Sequence, residues 1–310
     1  MNKLCQDISQ STNVSAKRKW SAEYRDTPLP DSPIKRKPDI VLIDIHNPLV
    51  TWRTVHAIAE ITAQGSEHGK MVRTVIDKSY IILTTQADRV FVPILSVWGD
   101  HKFRLTVTDR EGQLRSVVYE LAGVRPISLS LAFLRVVVGL CFTNKQYVGY
   151  DPTMTTDNRG VVESINCCGK TFQVNHAIYE TQSLVGRATR VWQVQYEGKQ
   201  FILKDAWVEK LRPVTEIQHL QHVAGVQGVP KFICGEDVMI DDQLLSTGNI
   251  RGVQLNSMRL RRRIVTSSIG SHISNFRTKR ELISAFRDVV FSALNIFSTY
   301  VLLIFSFSQR

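Results

Sequence analysis

The chain has 310 residues, 43% of them hydrophobic, which is enough for a buried core and argues against an intrinsically disordered protein. The length suits two domains, or one domain with a long appendage, and a net charge of +11 favours anionic partners such as nucleic acid, acidic membranes or phosphorylated ligands. Five cysteines (Cys5, Cys141, Cys167, Cys168 and Cys234) are an odd number without metal-site spacing, and the adjacent pair suits neither zinc nor an unstrained disulfide. A disulfide-built secreted scaffold is thereby excluded, and a reducing intracellular compartment, cytoplasmic or nuclear, is expected.

Residues 1–38 are polar, rich in Ser, Lys and Arg, with three prolines before Lys35. This composition buries too little apolar surface to order itself, so a disordered basic arm is expected. Its triplets Lys17-Arg18-Lys19 and Lys35-Arg36-Lys37 have the pattern of a two-part nuclear-import address. The first twenty residues hold no apolar run, against a secretory signal.

From Asp39 the texture changes. Asp39–Asp44 and, more weakly, Thr54–Thr62 read as strands; Arg89–Val97 and Phe103–Thr108 read as stronger ones, rich in Val, Ile, Leu and Phe. A turn at DREGQL returns the chain through Ser116–Leu121 as a hairpin. Pro126 opens an apolar helical run, Leu129–Phe142, too short and too interrupted by Arg135 and Gly139 to span a bilayer. Residues 39–155 are therefore expected to form an accessory α+β domain that closes near Gly149-Tyr-Asp-Pro152.

Beyond it, short strands lead to LVGRATRVWQVQYEGKQFILKDAW at Leu184–Trp207, a hairpin turning at Glu197-Gly198. Pro213 fits the first turn of a helix that ends near Gly225, and Val229–Cys234 and Leu260–Thr266 are further strands. Residues 277–294 give the clearest helix, with Leu282, Ile283, Phe286, Val289, Val290 and Ala293 on one apolar face. No internal repeat is evident.

A strand, a glycine-bearing turn, an antiparallel strand and a third strand ending in lysine make a phosphate lid: glycine lets the backbone approach, and the ammonium neutralises charge. Here the parts are Gly186, Lys204 eighteen residues later, and Glu216 on the following helix, with Arg187 and Arg190 adding charge at the loop. A full glycine-rich loop has two more glycines; Ala188 and Val191 stand in their places, so spacing alone leaves an ordinary hairpin open.

The order of segments says more. GRATRVW, LKDAW and the Gly228-Val229-Pro230 segment resemble the fungal-type protein kinase family, which reads GRGTRVW, LKD-W and GVP. IKRKPDIVL, the run from QADRVFVPILSVWGD through SVVYEL, and YVGYDPT resemble the region preceding its kinase lobe. RLRRRIVTSSIGSHISNFRTKRELISAFRD is similar to its fifth strand, hinge and first large-lobe helices, so the likeness runs over about residues 35–292. It implies an α+β fold: a kinase-like small lobe with its hinge over 156–270 and a large lobe beginning at 271–294; beyond it, residues 295–310 read from composition as an apolar tail. It also implies ATP and Mg as cofactors and a protein substrate or regulatory partner. By resemblance Lys204 is the phosphate-binding lysine, Glu216 its helix partner with Glu209 as the alternative, Gly186 to Val191 the loop, and Thr266 to Gly270 the hinge.

After Arg287-Asp288 the likeness stops. The family continues to His-Arg-Asp and Asp-Phe-Gly; this chain reads VVFSALNIFSTYVLLIFSFSQR. The first aspartate orients the acceptor hydroxyl and the second holds magnesium, so the chain is expected to be a C-terminally truncated, catalytically inactive member. Residues 289–309 carry no charge, which leaves a membrane anchor, a departure from the ancestral reading frame near Leu294, or an unusual buried helix. A non-catalytic binding or membrane-attached module is thus the alternative.

Three further patterns are weaker. Pro38-Asp39 with Glu60-Ile-Thr62 resembles a nuclease signature, but Thr62 stands where the lysine belongs. The eight histidines do not pair with acids or cysteines at ligand spacing and read as surface or core residues. Arg259, Arg261, Arg262 and Arg263 are able to meet phosphates, but alternation on a strand would place two on each face, and no aromatic residues interleave; nucleic acid is not the expected partner.

Overall fold

The computed structural model describes residues 1–47, 49–63, 69–99, 101–121, 130–253, 258–267, 270 and 273–307, with side chains described up to residue 294. Among them two seven-stranded sheets form. The first contains β1 (Arg18–Ser21), β2 (Ile40–Asp44), β3 (Ala57–Thr62), β4 (Val92–Trp98), β5 (Lys102–Asp109) and β6 (Gly112–Arg115) in that order, with β7 (Tyr119–Glu120) also on β5. Every pairing is antiparallel except β3 with β4. A parallel pair needs a long crossover, and α2 (Gly69–Thr85) supplies it.

Helices cover both faces of this sheet, so its inner strands are apolar on both sides. Val41 and Ile43 face α2 with Val75, Ile81, Ile82 and Ile94, while Leu42 faces the other side with Ala57, Leu95 and Phe103. That second face is closed by Phe133, Val137 and Cys141 of α3 (Leu131–Phe142) and by Cys5 of α1 (Asn2–Thr12).

The N-terminal stretch departs from the expected disordered arm: residues 2–12 are helix and 18–21 are strand. The reason lies in a few side chains that average composition hides. Trp20 is buried and its Nε1 donates to the Val137 carbonyl at 3.2 Å. Arg18 is buried, donating to the Leu140 and Thr143 carbonyls at 3.1 and 3.0 Å. The first basic triplet is therefore part of the fold, whereas Lys35, Arg36 and Lys37 are exposed. The returning strand of the hairpin begins at Gly112, four residues earlier than Ser116. Pro126 lies outside the described residues.

After α4 (Lys145–Val148) the chain turns at Gly149, whose φ is +106° and where a Cβ would overlap the Phe91 carbonyl. The second sheet follows, antiparallel throughout, in the order β13 (Phe232–Asp237), β16 (Arg259–Thr266), β12 (Lys199–Glu209), β11 (Arg190–Tyr196), β10 (Lys170–Glu180), β9 (Val162–Cys167), β8 (Met154–Thr156). Ile165, Phe172, Trp192, Val194, Leu203 and Val265 form its core. The short α5 (Glu216–His222) packs beside β13; a small hairpin of β14 (Met239–Ile240) and β15 (Gln243–Leu244) leads to α6 (Thr247–Arg251). Helix α5 starts at Glu216 rather than at Pro213 because Thr215 caps it, its hydroxyl accepting from the Gln218 N–H while Gln218 reaches back to the Thr215 N–H.

Buried charge fastens the second sheet to the segment that leads into it and, through further arginines, to the first sheet. Arg261 and Arg263 of β16 both contact Asp151, at 2.9 and 2.6 Å, and both contact Asp205 of β12, at 2.9 and 3.3 Å. All four side chains are at most 4% exposed. Nearby, Arg190 donates to the Leu83 and Thr84 carbonyls and Arg110 to the Leu83 carbonyl, so two guanidinium groups meet the negative C-terminal end of α2. Arg251 forms a two-bond pair with Asp109 of β5 at 2.8 and 2.6 Å.

The last helix, α7 (Lys279–Phe307), starts two residues after the expected position and continues beyond it. Its predicted apolar face is not covered: Ile283, Phe286, Val289 and Val290 are 56–67% exposed. Ser292 ties it to the Gln227 carbonyl at 3.0 Å. Among the described residues no helix is long and apolar enough to cross a membrane. The side chains beyond residue 294 and residues 308–310, which belong to the expected anchor, lie outside the described residues.

Two outcomes follow. Asp205→Asn leaves Arg261 and Arg263 short of one buried counter-charge and is expected to lower unfolding stability by about 3–5 kcal/mol in urea denaturation. His56 is buried with its Nε2 3.0 Å from Asp44 Oδ1; burial, partly offset by Asp44, pulls its pKa down to about 4. The unfolded state takes up that proton near pH 6.5 and the folded state does not. Its contribution is therefore present above about pH 6.5 and is lost as pH falls toward about 4, by up to about 3 kcal/mol. Denaturation series on wild type and His56→Gln between about pH 7 and pH 4 will show a flatter profile in the variant.

Candidate functional site

The hairpin singled out in the sequence is β11 and β12, and its geometry follows from alternation. Trp192 and Val194 enter the core while Gln195 stays out, and Glu197-Gly198, both at positive φ (48° and 73°), form the tight two-residue turn that matches strand twist. In the ladder Lys204 is opposite Val191 on one side and Ile264 of β16 on the other. Its neighbour Asp205 faces the buried arginines, so adjacent residues of one strand serve the open surface and the buried cluster.

Lys204 Nζ lies 2.5 Å from Glu216 Oε1, the first residue of α5, and Arg187 Nη2 lies 3.4 Å from Glu216 Oε2. Lys204 is 30% and Glu216 36% exposed, an open cationic face with its carboxylate partner. Glu209, the alternative partner, turns instead to Arg259 at 3.6 Å and Arg212 at 4.0 Å.

The loop from 181 to 189 reaches this pair through Arg187 and is fastened at its base. Gly186 has φ +103°, and a Cβ there would meet open space, so backbone conformation, not crowding, calls for glycine. Its N–H donates to the Arg110 carbonyl at 3.0 Å, and the Arg187 carbonyl accepts from the Trp207 N–H at 2.7 Å. Ala188, at φ 41°, is buried with Trp207, Val238 and Leu245. Arg190, expected to add charge at the loop, is buried and committed to the α2 carbonyls, so of the two loop arginines Arg187 alone faces the site. Of the expected hinge, residues 268 and 269 lie outside the described residues; Ser267 is bonded to the Lys231 carbonyl at 3.0 Å.

The arginine cluster on β16 is not a phosphate-binding surface. Arg259, Arg261 and Arg263 share one side and Arg262 takes the other, three to one rather than two to two, because alternate residues share a face. Arg262 pairs with Asp237 at 2.7 and 3.0 Å, Arg259 is 3.6 Å from Glu111, and the other two are in the buried cluster. Burial raises the Asp151 pKa, but Arg263 and Arg261 outweigh it and hold the carboxyl below its ordinary value.

Of the nuclease-like pattern, Asp39 accepts from the Ile61 N–H at 2.8 Å and Glu60 is ion-paired with Lys78 of α2. Glu60 and Lys78 are almost fully buried, and burial first of all raises the Glu60 pKa. Their role is to fasten α2 to β3. The 310 residues contain neither a His-Arg-Asp nor an Asp-Phe-Gly tripeptide.

A family model described as fungal protein kinase matches residues 37–257, more than two thirds of the chain. The chain belongs to the fungal protein kinase family. The match takes in the first sheet from β2 onward and the second sheet up to the residues before β16, so both sheets contribute to the family's pattern. No curated protein and no solved structure matches the chain.

The Lys204–Glu216 pair is about one-third exposed, and such pairs contribute little to folding. Glu216→Ala is expected to change unfolding stability by no more than about 1 kcal/mol in urea denaturation, in contrast to the buried aspartates.

Proposed function

We propose that this member of the fungal protein kinase family presents, in residues 1–310, a kinase small lobe that binds the phosphates of ATP against Lys204. The observation that carries the reading is the ion pair of Lys204 with Glu216, which Arg187 of the glycine-bearing loop joins. The lysine ammonium neutralises phosphate charge, Glu216 holds it at a fixed place on the strand, and Arg187 adds a second cation at the loop. Magnesium carried in with the nucleotide would supply further neutralisation of the phosphate charge that Lys204 and Arg187 meet.

The same geometry implies weak binding. The Gly186 N–H, a donor that a phosphate would use, already serves the Arg110 carbonyl, and Ala188 is packed into the protein. Phosphoryl transfer by these residues is not expected, because the sequence holds neither of the two aspartate motifs the reaction uses. The exposed apolar face of α7 supports a second reading in the same molecule, a non-catalytic binding module in which Ile283, Phe286 and Val289 meet a regulatory protein or a membrane surface. Five free cysteines support an intracellular site of action, and Lys35, Arg36 and Lys37 remain exposed as a nuclear-import element.

Calorimetric titration with Mg·ATP tests the principal reading. Binding in the range of about 0.1–1 mM is expected for residues 1–310, weakened at least tenfold by Lys204→Ala, which corresponds to about 1.4 kcal/mol or more. Equal affinity in the two proteins overturns it. A phosphotransfer assay on the same pair should give no activity above the Lys204→Ala control.

A further inference from the structure

Three cysteines that the sequence keeps apart are gathered in the second sheet. Cys167 ends β9, Cys168 occupies the following turn, and Cys234 lies on β13, near the other end of the strand order. Their sulfur atoms all lie within 4.8 Å of one another, and Cys167 and Cys168 are 3.7 Å apart. Among the described strands β9 and β13 are not ladder partners, yet they meet here. One bond at this meeting is the Cys168 N–H to the Glu236 carboxylate, at 2.8 Å.

We propose that Cys167, Cys168 and Cys234 bind a thiophilic d10 cation, zinc(II) in the first instance, that ties β9 to β13. Tetrahedral zinc with Zn–S bonds of about 2.3 Å places its sulfur ligands about 3.8 Å apart, and the three thiols need to move little to reach that spacing. Soft sulfur donors select zinc over magnesium or calcium. The fourth position stays open for water or an added ligand, since among the described residues no fourth Cys, His, Asp or Glu joins the cluster.

The turn is built to deliver the thiols. Cys168 and Gly169 have φ of 51° and 71°, the two left-handed positions of a tight hairpin turn. Asparagine, aspartate or glycine is favoured at the first of them, and cysteine is held there instead. The Glu236 bond fixes the turn's backbone, and the Cys168 thiol is half-buried against Cys234. Binding releases thiol protons to solvent as Zn–S bonds form, with no change of oxidation state.

The position matters to the site. Gly235, next to Cys234, is where Ile217 of α5 rests, with its side chain 3.0 Å from the place a Cβ would occupy. A cation on Cys234 therefore stiffens the strand on which α5, and with it Glu216, is seated.

The test uses the full 310-residue chain, reduced and stripped with a chelator. One equivalent of Co2+ is expected to give a thiolate-to-metal charge-transfer band that Zn2+ abolishes. At a hundredfold excess over its dissociation constant, Zn2+ is expected to raise the thermal midpoint by about 5 °C. Cys168→Ser and Cys234→Ser should each remove the band, and Cys5→Ser, in the other core, should keep it. Thiol counting needs no variant: the metal-free denatured protein has five reactive thiols, and in the native protein one zinc protects Cys168 and Cys234, the two half-buried members of the cluster. No band at one equivalent, unchanged thiol protection, or two thiols lost to a disulfide before metal is added would each overturn the proposal.

Discussion

Two arginines and two aspartates, shut away from water where the second sheet meets the segment that leads into it, hold the molecule in one arrangement. Asp151 comes from the segment joining the two layers, Asp205 from the strand that carries the candidate lysine, and Arg261 and Arg263 from the next strand. Removing four charges from water is costly, and the cost is recovered only when every partner is present and well placed. Arg263 also donates to the Thr153 hydroxyl and the Asn166 carbonyl, at 2.7 and 2.6 Å, which fastens the start of β8 and the end of β9 to the same point. A slipped register in β12 or β16 would leave these groups unpaired. The cluster therefore selects the pairing of those two strands more than it adds net stability.

The position of the candidate site follows from this constraint. Asp205 is drawn inward by the arginines, so Lys204 must face the other way, toward α5 and the loop. The loop is drawn down in turn by Arg110 and Trp207. The first sheet is thus more than an adjacent domain: through Arg110, and through the α2 carbonyls that Arg190 caps, it sets where the loop carrying Arg187 lies. That the family match begins at residue 37 and takes in most of both sheets agrees with this dependence.

Much of this is legible in the residues. Strands β2, β4, β5, β11, β12 and β16 are marked by β-branched and aromatic runs between turn signals, and the eighteen-residue spacing of Gly186 and Lys204 matches a hairpin with its turn at Glu197-Gly198. Other features depend on contacts far apart in the chain. Helix α2 is hidden in the sequence because its Val, Ile and Thr residues resemble a strand, and its identity comes from the parallel crossover it must make. The N-terminal segment looks disordered on average composition, although two residues, Arg18 and Trp20, are enough to anchor it against α3. Arg190 and the β16 arginines read as surface charge because their partners, at Leu83, Asp151 and Asp205, lie up to 112 residues away. The three clustered cysteines are hidden for the same reason: spacing along the chain does not report a seam between strands.

The central claim is that the face bearing Lys204 and Glu216, braced from behind by the buried charge cluster, is where nucleotide binds. Amide hydrogen exchange on residues 1–310 with and without saturating Mg·ATP tests it most directly. The account predicts added protection in the loop from 181 to 189, in β12 around Lys204 and in the first turn of α5, with β4, β5 and α2 unchanged. Protection confined to other segments, or none at all under saturating nucleotide, would contradict it.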